Sequence, residues 1–293
     1  VWRLDGGQCI REILMAAAVR VTAFHPINAN LLLIGDEARG LACVSVSAAK
    51  DAVRYLMIGG VAAATFNHTG AVVFAATSGG NIDVLQLQAE RNWDLTPWRS
   101  FPLLQGSGGA AGVAQEAQPV VAGLSYTSWL KDLGSPALMV ACLDRAIRIF
   151  SWHGTTSESS GGQASWVDRA LEVKGGGALS CRLVLRLPVG RRSPGPCAFC
   201  GPGSSHAICG TTDGKLSIVD LKTLRLAETL AAHSERVSAV CTSIMGGVLA
   251  SADASGCVLV WGTEPPGSNS SSANAGFHGN ADCSMSDYYD SVA

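Results

Sequence analysis

From Leu224 to Gly262 the chain reads LRLAETLAAHSERVSAVCTSIMGGVLASADASGCVLVWG. After a short amphipathic strand and a loop bearing Ala232 and His233 come three apolar runs: residues 237–241, residues 248–251, and a third ending in Trp261. A Gly-Gly pair separates the first two runs, and a small-residue turn over 253–256 separates the last two. The runs are too short for stable helices and rich in β-branched residues, so they predict strands. Four short strands in about 40 residues make one small sheet that cannot bury its faces alone. A chain built of such units must stack them.

Weaker copies recur upstream. The first predicted set takes residues 19–26, 31–35 and 41–47, with an outer strand over 51–57. The second takes 62–70, 71–80 and 81–87, with an outer strand over 93–104. The third takes 120–130, 137–143 and 144–152, with an outer strand in 181–189. The fourth takes 196–203, 206–212 and 213–221, where Asp213-Gly214 is a strong turn signal because Gly supplies the positive φ of a tight hairpin. Residues 1–2 read as a strand end, 9–14 as an outer strand, and 105–119 and 154–179 as soft low-complexity insertions. Residues 263–293, rich in Ser, Asn and Gly, are expected to be a disordered tail after a folded region over 1–262.

Composition agrees with stacked sheets. Charged residues are 15% of the chain, against roughly 25% in ordinary globular proteins. A net charge of -2 gives no bulk field toward nucleic acid or acidic membranes. No stretch reaches the roughly 18 apolar residues of a membrane span. Of the 10 cysteines, Cys43, Cys142, Cys209, Cys241 and Cys257 fall within or beside apolar runs and read as small buried hydrophobes of a reducing compartment.

The fifth set resembles a WD40 repeat. The segments VWRLDG (1–6), VTAFHPINANLLLIG (21–35), ALMVACLDRAIRIF (137–150) and LASADASGCVLVW (249–261) are similar, in the same order, to segments of a WD40-family member. The resemblance implies an all-β WD40 β-propeller with about five blades in this chain, an incomplete part of a seven-bladed propeller that lacks N-terminal blades. It also implies a buried hydrogen-bonded group in each repeat: a loop His, a turn Asp, a strand hydroxyl and a strand Trp. His233 and Trp261 match two of these positions, while Asp253 falls at the hydroxyl position and Ser255 at the Asp position. Upstream, Asp144 and Asp213 match the Asp and Thr211 the hydroxyl, whereas Phe150 and Val219 replace the Trp.

Family members are non-catalytic scaffolds of the nucleus and cytoplasm, so the resemblance implies protein partners in a multiprotein complex and no cofactor. Loops before the first and third strands share one rim in such a fold. Arg39, Arg145, Lys215 and Arg236 are therefore the candidate interaction residues, with Asp36, Glu37 and Asp213 as acidic counterparts. Two alternatives remain, a propeller hydrolase or lactonase and a nucleic-acid or chromatin-associated module. The sequence has no G-x-S-x-G, P-loop or H-E-x-x-H motif for the first. For the second it has only the cluster Arg182, Arg186, Arg191 and Arg192, without interleaved aromatics. Cys197, Cys200, His206 and Cys209 have metal-ligand character. Strand alternation, however, sends Cys197 and Cys200 to opposite faces, so no metal is expected there.

Overall fold

The structure, a computed structural model, describes residues 1–3, 6–15, 17–47, 55–89, 93–103, 120–130, 135–144, 146–153, 178–186, 194–243, 248–262 and 278–279. A two-stranded pair, β1 (Trp2–Arg3) and β2 (Gln8–Cys9), precedes five four-stranded antiparallel sheets. The first is β3 (Val19–Phe24), β4 (Leu31–Asp36), β5 (Gly40–Ser45) and β6 (Leu56–Met57). The second is β7 (Val61–Phe66), β8 (Val72–Thr77), β9 (Asn81–Gln88) and β10 (Asp94–Pro102). The third is β11 (Val121–Leu130), β12 (Ser135–Cys142), β13 (Ala146–His153) and β14 (Ala178–Arg186). The fourth is β15 (Pro194–Cys200), β16 (His206–Thr211), β17 (Lys215–Asp220) and β18 (Arg225–Ala231). The fifth is β19 (Val237–Thr242), β20 (Val248–Asp253), β21 (Val258–Gly262) and β22 (His278–Gly279). Each sheet is a plain meander whose strands pair in chain order.

The five sets are thus where the sequence puts them, with differences at their edges. The strand at 225–231 completes the fourth sheet rather than opening the fifth. The 9–14 stretch contributes only Cys9 to a strand. Residues 278–279, inside the expected tail, pair with Trp261 and Gly262 and give the fifth sheet a short outer strand. The 105–119 insertion and the rest of the tail lie outside the described residues, as does the 154–179 insertion apart from its last two residues, which already belong to β14. The pairing also repeats an irregularity that composition does not reveal. A register shift falls near the start of the first strand of the first, second, fourth and fifth sheets, at Val19/Val21, Val61/Ala63, Pro194/Cys197 and Val237/Ala239. Such bulges sharpen the local twist where the chain enters the sheet.

The chain divides into two compact units, Val1–Val121 and Ala122–His153 with Ala178–Ala293. In the first unit, Val21, Leu33 and Leu41 of the first sheet pack on Val61, Phe66, Val73, Ala75 and Leu85 of the second. The opposite face of the first sheet, Leu32, Ile34, Ala42 and Val44, is covered by Val1, Ile13 and Met15. Arg11 fastens that covering segment by donating to the Ser45 and Val46 carbonyls. In the second unit, Met139, Ala141, Ile147 and Ile149 of the third sheet meet Cys197, Phe199, Ala207 and Cys209 of the fourth. The far face of the fourth sheet, with Cys200, Ile208, Leu216 and Ile218, meets Val237, Leu249 and Trp261 of the fifth. A sheet covered on both sides reads as nearly continuous apolar sequence, which is why β4 and β8 are buried along their whole length. The outer face of the fifth sheet is different: Val258 and Val260 are exposed, and so is Cys241, which the sequence suggested was buried.

One buried histidine ties the first unit together. His25 Nδ1 accepts the Ile27 and Asn28 amides, at 3.2 and 3.0 Å, and its ring packs against Phe66 and Trp93. Gly70, at φ +76°, lies so close that an added Cβ would sit 2.0 Å from His25 Nε2. Burial lowers the His25 pKa, so the folded state binds its proton less readily than the unfolded chain. This contribution is complete above the unfolded value of about 6.5 and is lost as pH falls below it. The wild-type melting temperature is therefore expected to drop as pH falls below about 6.5, and His25→Asn to flatten that slope. Gly70→Ala should destabilise at every pH, through both the strained φ and the ring contact; an unchanged melt would contradict this packing.

Candidate functional site

Three loops of the second unit lie side by side at one rim of the sheets. They are the β16–β17 turn at 212–214, the β18–β19 loop at 232–236 and the β20–β21 turn at 254–257. Backbone hydrogen bonds join them: His233 N–H donates to Gly214 O at 2.8 Å, and Ala254 N–H donates to Arg236 O at 3.0 Å. The first contact needs a residue without a side chain. Gly214 has φ +78°, and a Cβ there would meet His233 O at 2.1 Å. The second contact recurs in the first unit, where Glu37 N–H donates to Ala18 O at 3.1 Å and Ser78 N–H to Gly60 O at 2.9 Å. In all three cases the residue after the second strand bonds the residue just before the first strand. In the first, second and fifth sheets the loop before the first strand and the turn before the third therefore lie side by side.

Beneath the second unit's rim is a buried polar chain. Trp261 Nε1–H donates to Ser251 Oγ at 3.0 Å, and Ser251 Oγ is 2.8 Å from His233 Nε2. The indole can only donate, so the Ser251 hydroxyl accepts there and makes its second bond with the His233 imidazole. Nδ1 lies 3.3 Å from Asp253 Oδ2, an ion-pair distance outside hydrogen-bond geometry. The other carboxylate oxygen accepts the Ser255 hydroxyl at 2.6 Å and the Ser255 and Cys257 amides at 2.9 and 3.1 Å. The Ser255 hydroxyl, aided by the two amides and the nearby imidazole, outweighs burial and holds the Asp253 carboxyl below its ordinary range.

This network corrects the sequence assignment. Asp253 is not at the hydroxyl position: it faces His233 itself, and the strand hydroxyl is Ser251, two residues earlier. Ser255 does not stand in for an aspartate but supports one. Side chains two apart on a strand share a face, so Leu249, Ser251 and Asp253 all point to the packed side, and Leu249 and Ser251 sit beside Trp261 and Leu259 of β21. The fourth sheet holds the same pair in reverse order. There Thr211 Oγ1 donates to Asp213 Oδ1 at 2.7 Å and accepts the Lys215 amide at 3.0 Å. In the third sheet Asp144 caps the Ala146 amide and forms a two-point pair with Arg148, at 2.6 and 3.2 Å. Arg148, nearly buried, was not foreseen; its signal was an arginine four residues after the turn aspartate, alternating with Ile147 and Ile149.

The rim candidates are placed unevenly. Arg39 is exposed, with its guanidinium 5.8 Å from the Tyr55 ring centroid. Lys215 Nζ is 3.9 Å from Asp213 Oδ2, and Arg236 is exposed. Arg145 lies outside the described residues, as do Arg191 and Arg192 and the side chains of Arg182 and Arg186. Glu37 is spent on Arg20, at 2.6 Å. Asp36 is not a surface counterpart at all. It is fully buried, and its Oδ1 accepts the Ala38, Arg39 and Gly40 amides. Burial works to raise its pKa, but the Arg39, Ala38 and Gly40 amides outweigh burial and hold the carboxyl below its ordinary range.

Cysteine placement agrees with strand alternation. Cys197 and Cys209 pack toward the third sheet, and Cys200 toward the fifth. Among the described residues, the metal-ligand types that cluster are His233, Asp253 and Cys257, with ligand atoms within 4.8 Å of one another. The hydrogen bonds above already engage His233 Nε2 and Asp253 Oδ1. A half-open cavity of about 450 Å³ in the first unit is walled by Val1, Ile13, Leu32 and Ile34. Its one guanidinium, Arg11, is the group already bound to strand carbonyls.

No family model matches the sequence, and no curated protein matches it. Among solved structures, the β-propeller domain of Cps50 (Swd1) from Myceliophteria thermophila is similar to this chain, with a TM-score of 0.60 and 16% identity. The match covers 89% of this chain and 76% of that one. Together with the five meander sheets, this shows an all-β β-propeller fold.

Ser251→Ala should leave the Trp261 indole and His233 Nε2 unpartnered in the packed interface. The expected loss is about 2 kcal/mol in urea unfolding. Ser255→Ala, which removes a supporting bond at the turn, should cost less, and equal losses would argue against Ser251 as the hub.

Proposed function

We propose that the protein is a non-catalytic WD40 scaffold that binds other proteins through the rim of loops. The observation that carries this reading is the fastening of the first-strand loops to the second-to-third-strand turns, in both units, by the same backbone hydrogen bond. Within each unit that bond sets side chains from neighbouring loops on one surface. The buried polar groups beneath it (Ser251, Asp253, Thr211 and Asp36) hold the turns and are engaged in doing so. A rigid loop surface over a packed sheet core suits recognition, where chemistry needs convergent reactive groups.

The finer assignment rests on the quoted segments: the chain is placed in the WD40 family, beside WD repeat-containing protein 13, with residues 1–262 as the propeller and 263–293 as a tail. Work in a multiprotein complex of the nucleus or cytoplasm follows from that likeness. Neither cofactor nor direct nucleic-acid contact nor membrane attachment belongs to this reading. The interaction residues proposed are Arg39 and Arg236, which are exposed, and Lys215, which is partly exposed.

The test is affinity purification of the whole chain carrying Lys215→Glu with Arg236→Glu. Partner recovery should fall by about tenfold or more, as for loss of charged contacts at an interface, while the melting temperature stays within a degree or so of wild type. Full recovery of every partner would remove the rim from consideration. Turnover of an ester or lactone by the purified protein, abolished in a rim-independent variant such as Glu12→Gln, would instead favour the enzyme alternative.

A further inference from the structure

We infer that Cys197 and Cys209 form an oxidisable dithiol, a site that a two-electron oxidant such as hydrogen peroxide closes to a disulfide within the fourth sheet. The two residues are directly opposite on β15 and β16. Opposed residues on antiparallel strands come in two kinds, and the pair whose backbone groups point away from each other has its Cα atoms about 4.5 Å apart and its side chains closer. The hydrogen bonds identify which kind this is. Phe199 N–H donates outward to Ser125 Oγ at 3.2 Å, and Phe199 O accepts outward from Thr242 Oγ1 at 2.7 Å. Phe199 therefore turns its backbone away from β16, and so does Cys197, two residues earlier on the same regular run of pairing. The approach of Gly123 agrees, because a Cβ there would meet the Cys197 nitrogen at 2.9 Å. Cys197 and Cys209 are thus the close kind of pair, with a Cα separation inside the disulfide range of about 4.4–6.8 Å.

The surroundings favour this pair over others. Cys197 and Cys209 lie on the same face, in the same cluster, whereas Cys200 lies on the other. The two thiols also interact, and that contact together with burial pushes the Cys209 thiol well up. Cys197, at 5% exposure against 0% for Cys209, is the thiol an oxidant reaches first. In the first step the Cys197 sulfur attacks peroxide, the O–O bond breaks, and sulfenic acid and water form. In the second the Cys209 sulfur attacks the sulfenic sulfur, the S–S bond forms, the S–O bond breaks, and the second water leaves. The two thiol protons depart in the two waters, and the peroxide takes up two electrons.

Closing this bond would cross-link the strand that touches both neighbouring sheets of the second unit. β15 is the edge strand whose Phe199 backbone reaches Ser125 on one side and Thr242 on the other. Oxidation thus stiffens the second unit where three sheets meet, without adding a contact.

The experiment is mild treatment of the folded, full chain with hydrogen peroxide, followed by alkylation and non-reducing peptide mapping. Cys197 and Cys209 should appear in one cross-linked peptide pair, released by dithiothreitol. The melting temperature should rise by roughly 5 °C and fall back on reduction. Cys197→Ser and Cys209→Ser should each abolish both changes while keeping the wild-type circular dichroism spectrum. A bond from Cys197 to Cys142, whose thiol also senses Cys197, would overturn the inference. Sulfinic acid at Cys197 with Cys209 still free, or cross-linking only in denaturant, would overturn it equally.

Discussion

The polar residue that ends the second strand in four of the five sheets sets the terms for what surrounds it. Asp36, Thr77, Thr211 and Asp253 are all buried, in positions that strand alternation turns toward packed faces. A buried carboxylate or hydroxyl without partners costs several kilocalories per mole, so each must find its bonds close by. Asp36 and Asp253 take the amides of their own turns, and Thr211 takes Lys215 and Asp213. Satisfying the side chain fixes the turn. In the first, second and fifth sheets the fixed turn then presents the next amide to the carbonyl that precedes the first strand. Shape at the rim follows from polar satisfaction beneath it.

Stacked sheets face a second problem at their first strands, whose outer edge carries unpaired backbone groups. In the second unit the solution is to let neighbouring sheets supply the partners. Phe199 uses a serine from β11 for its N–H and a threonine from β19 for its carbonyl. Close approach is what makes this possible: a Cβ at Gly123 would collide with the backbone at Gly195, Pro196 and Cys197. The bulges near the starts of the first strands bend the chain toward that crowded edge.

These two constraints explain which features the sequence disclosed. The strands were legible because sheets covered on both faces leave long apolar runs such as 31–35 and 72–76, punctuated by Gly and Asp. The polar group was legible in composition but not in register. Asp253 and Ser255, or Thr211 and Asp213, make the same hydroxyl-to-carboxylate bond in either order, so residue type at an offset does not fix the role. Ser251 carries no signal of its own in an alanine-rich strand; only the facing Trp261 makes it a hub. Asp36 looked like a surface charge because its neighbours Glu37 and Arg39 are surface charges. Cys241 misled in the other direction, since an apolar run says that one face of a strand is covered and not which of its cysteines lies on that face.

Because the turns are held from below, the residues at their tips are free of structural duty. Lys215 has its backbone engaged by Thr211, but its ammonium reaches only 3.9 Å toward Asp213, a partly exposed pair that adds little to stability. Arg236 lends its carbonyl to Ala254 and leaves its side chain exposed. In both, the main chain holds the loop and the side chain points elsewhere. Side chains of this kind can change without disturbing the fold, whereas Ser251 and Asp253 cannot. The fold separates the two tasks at single residues, and it does so with the hydrogen bonds that a buried strand end already requires.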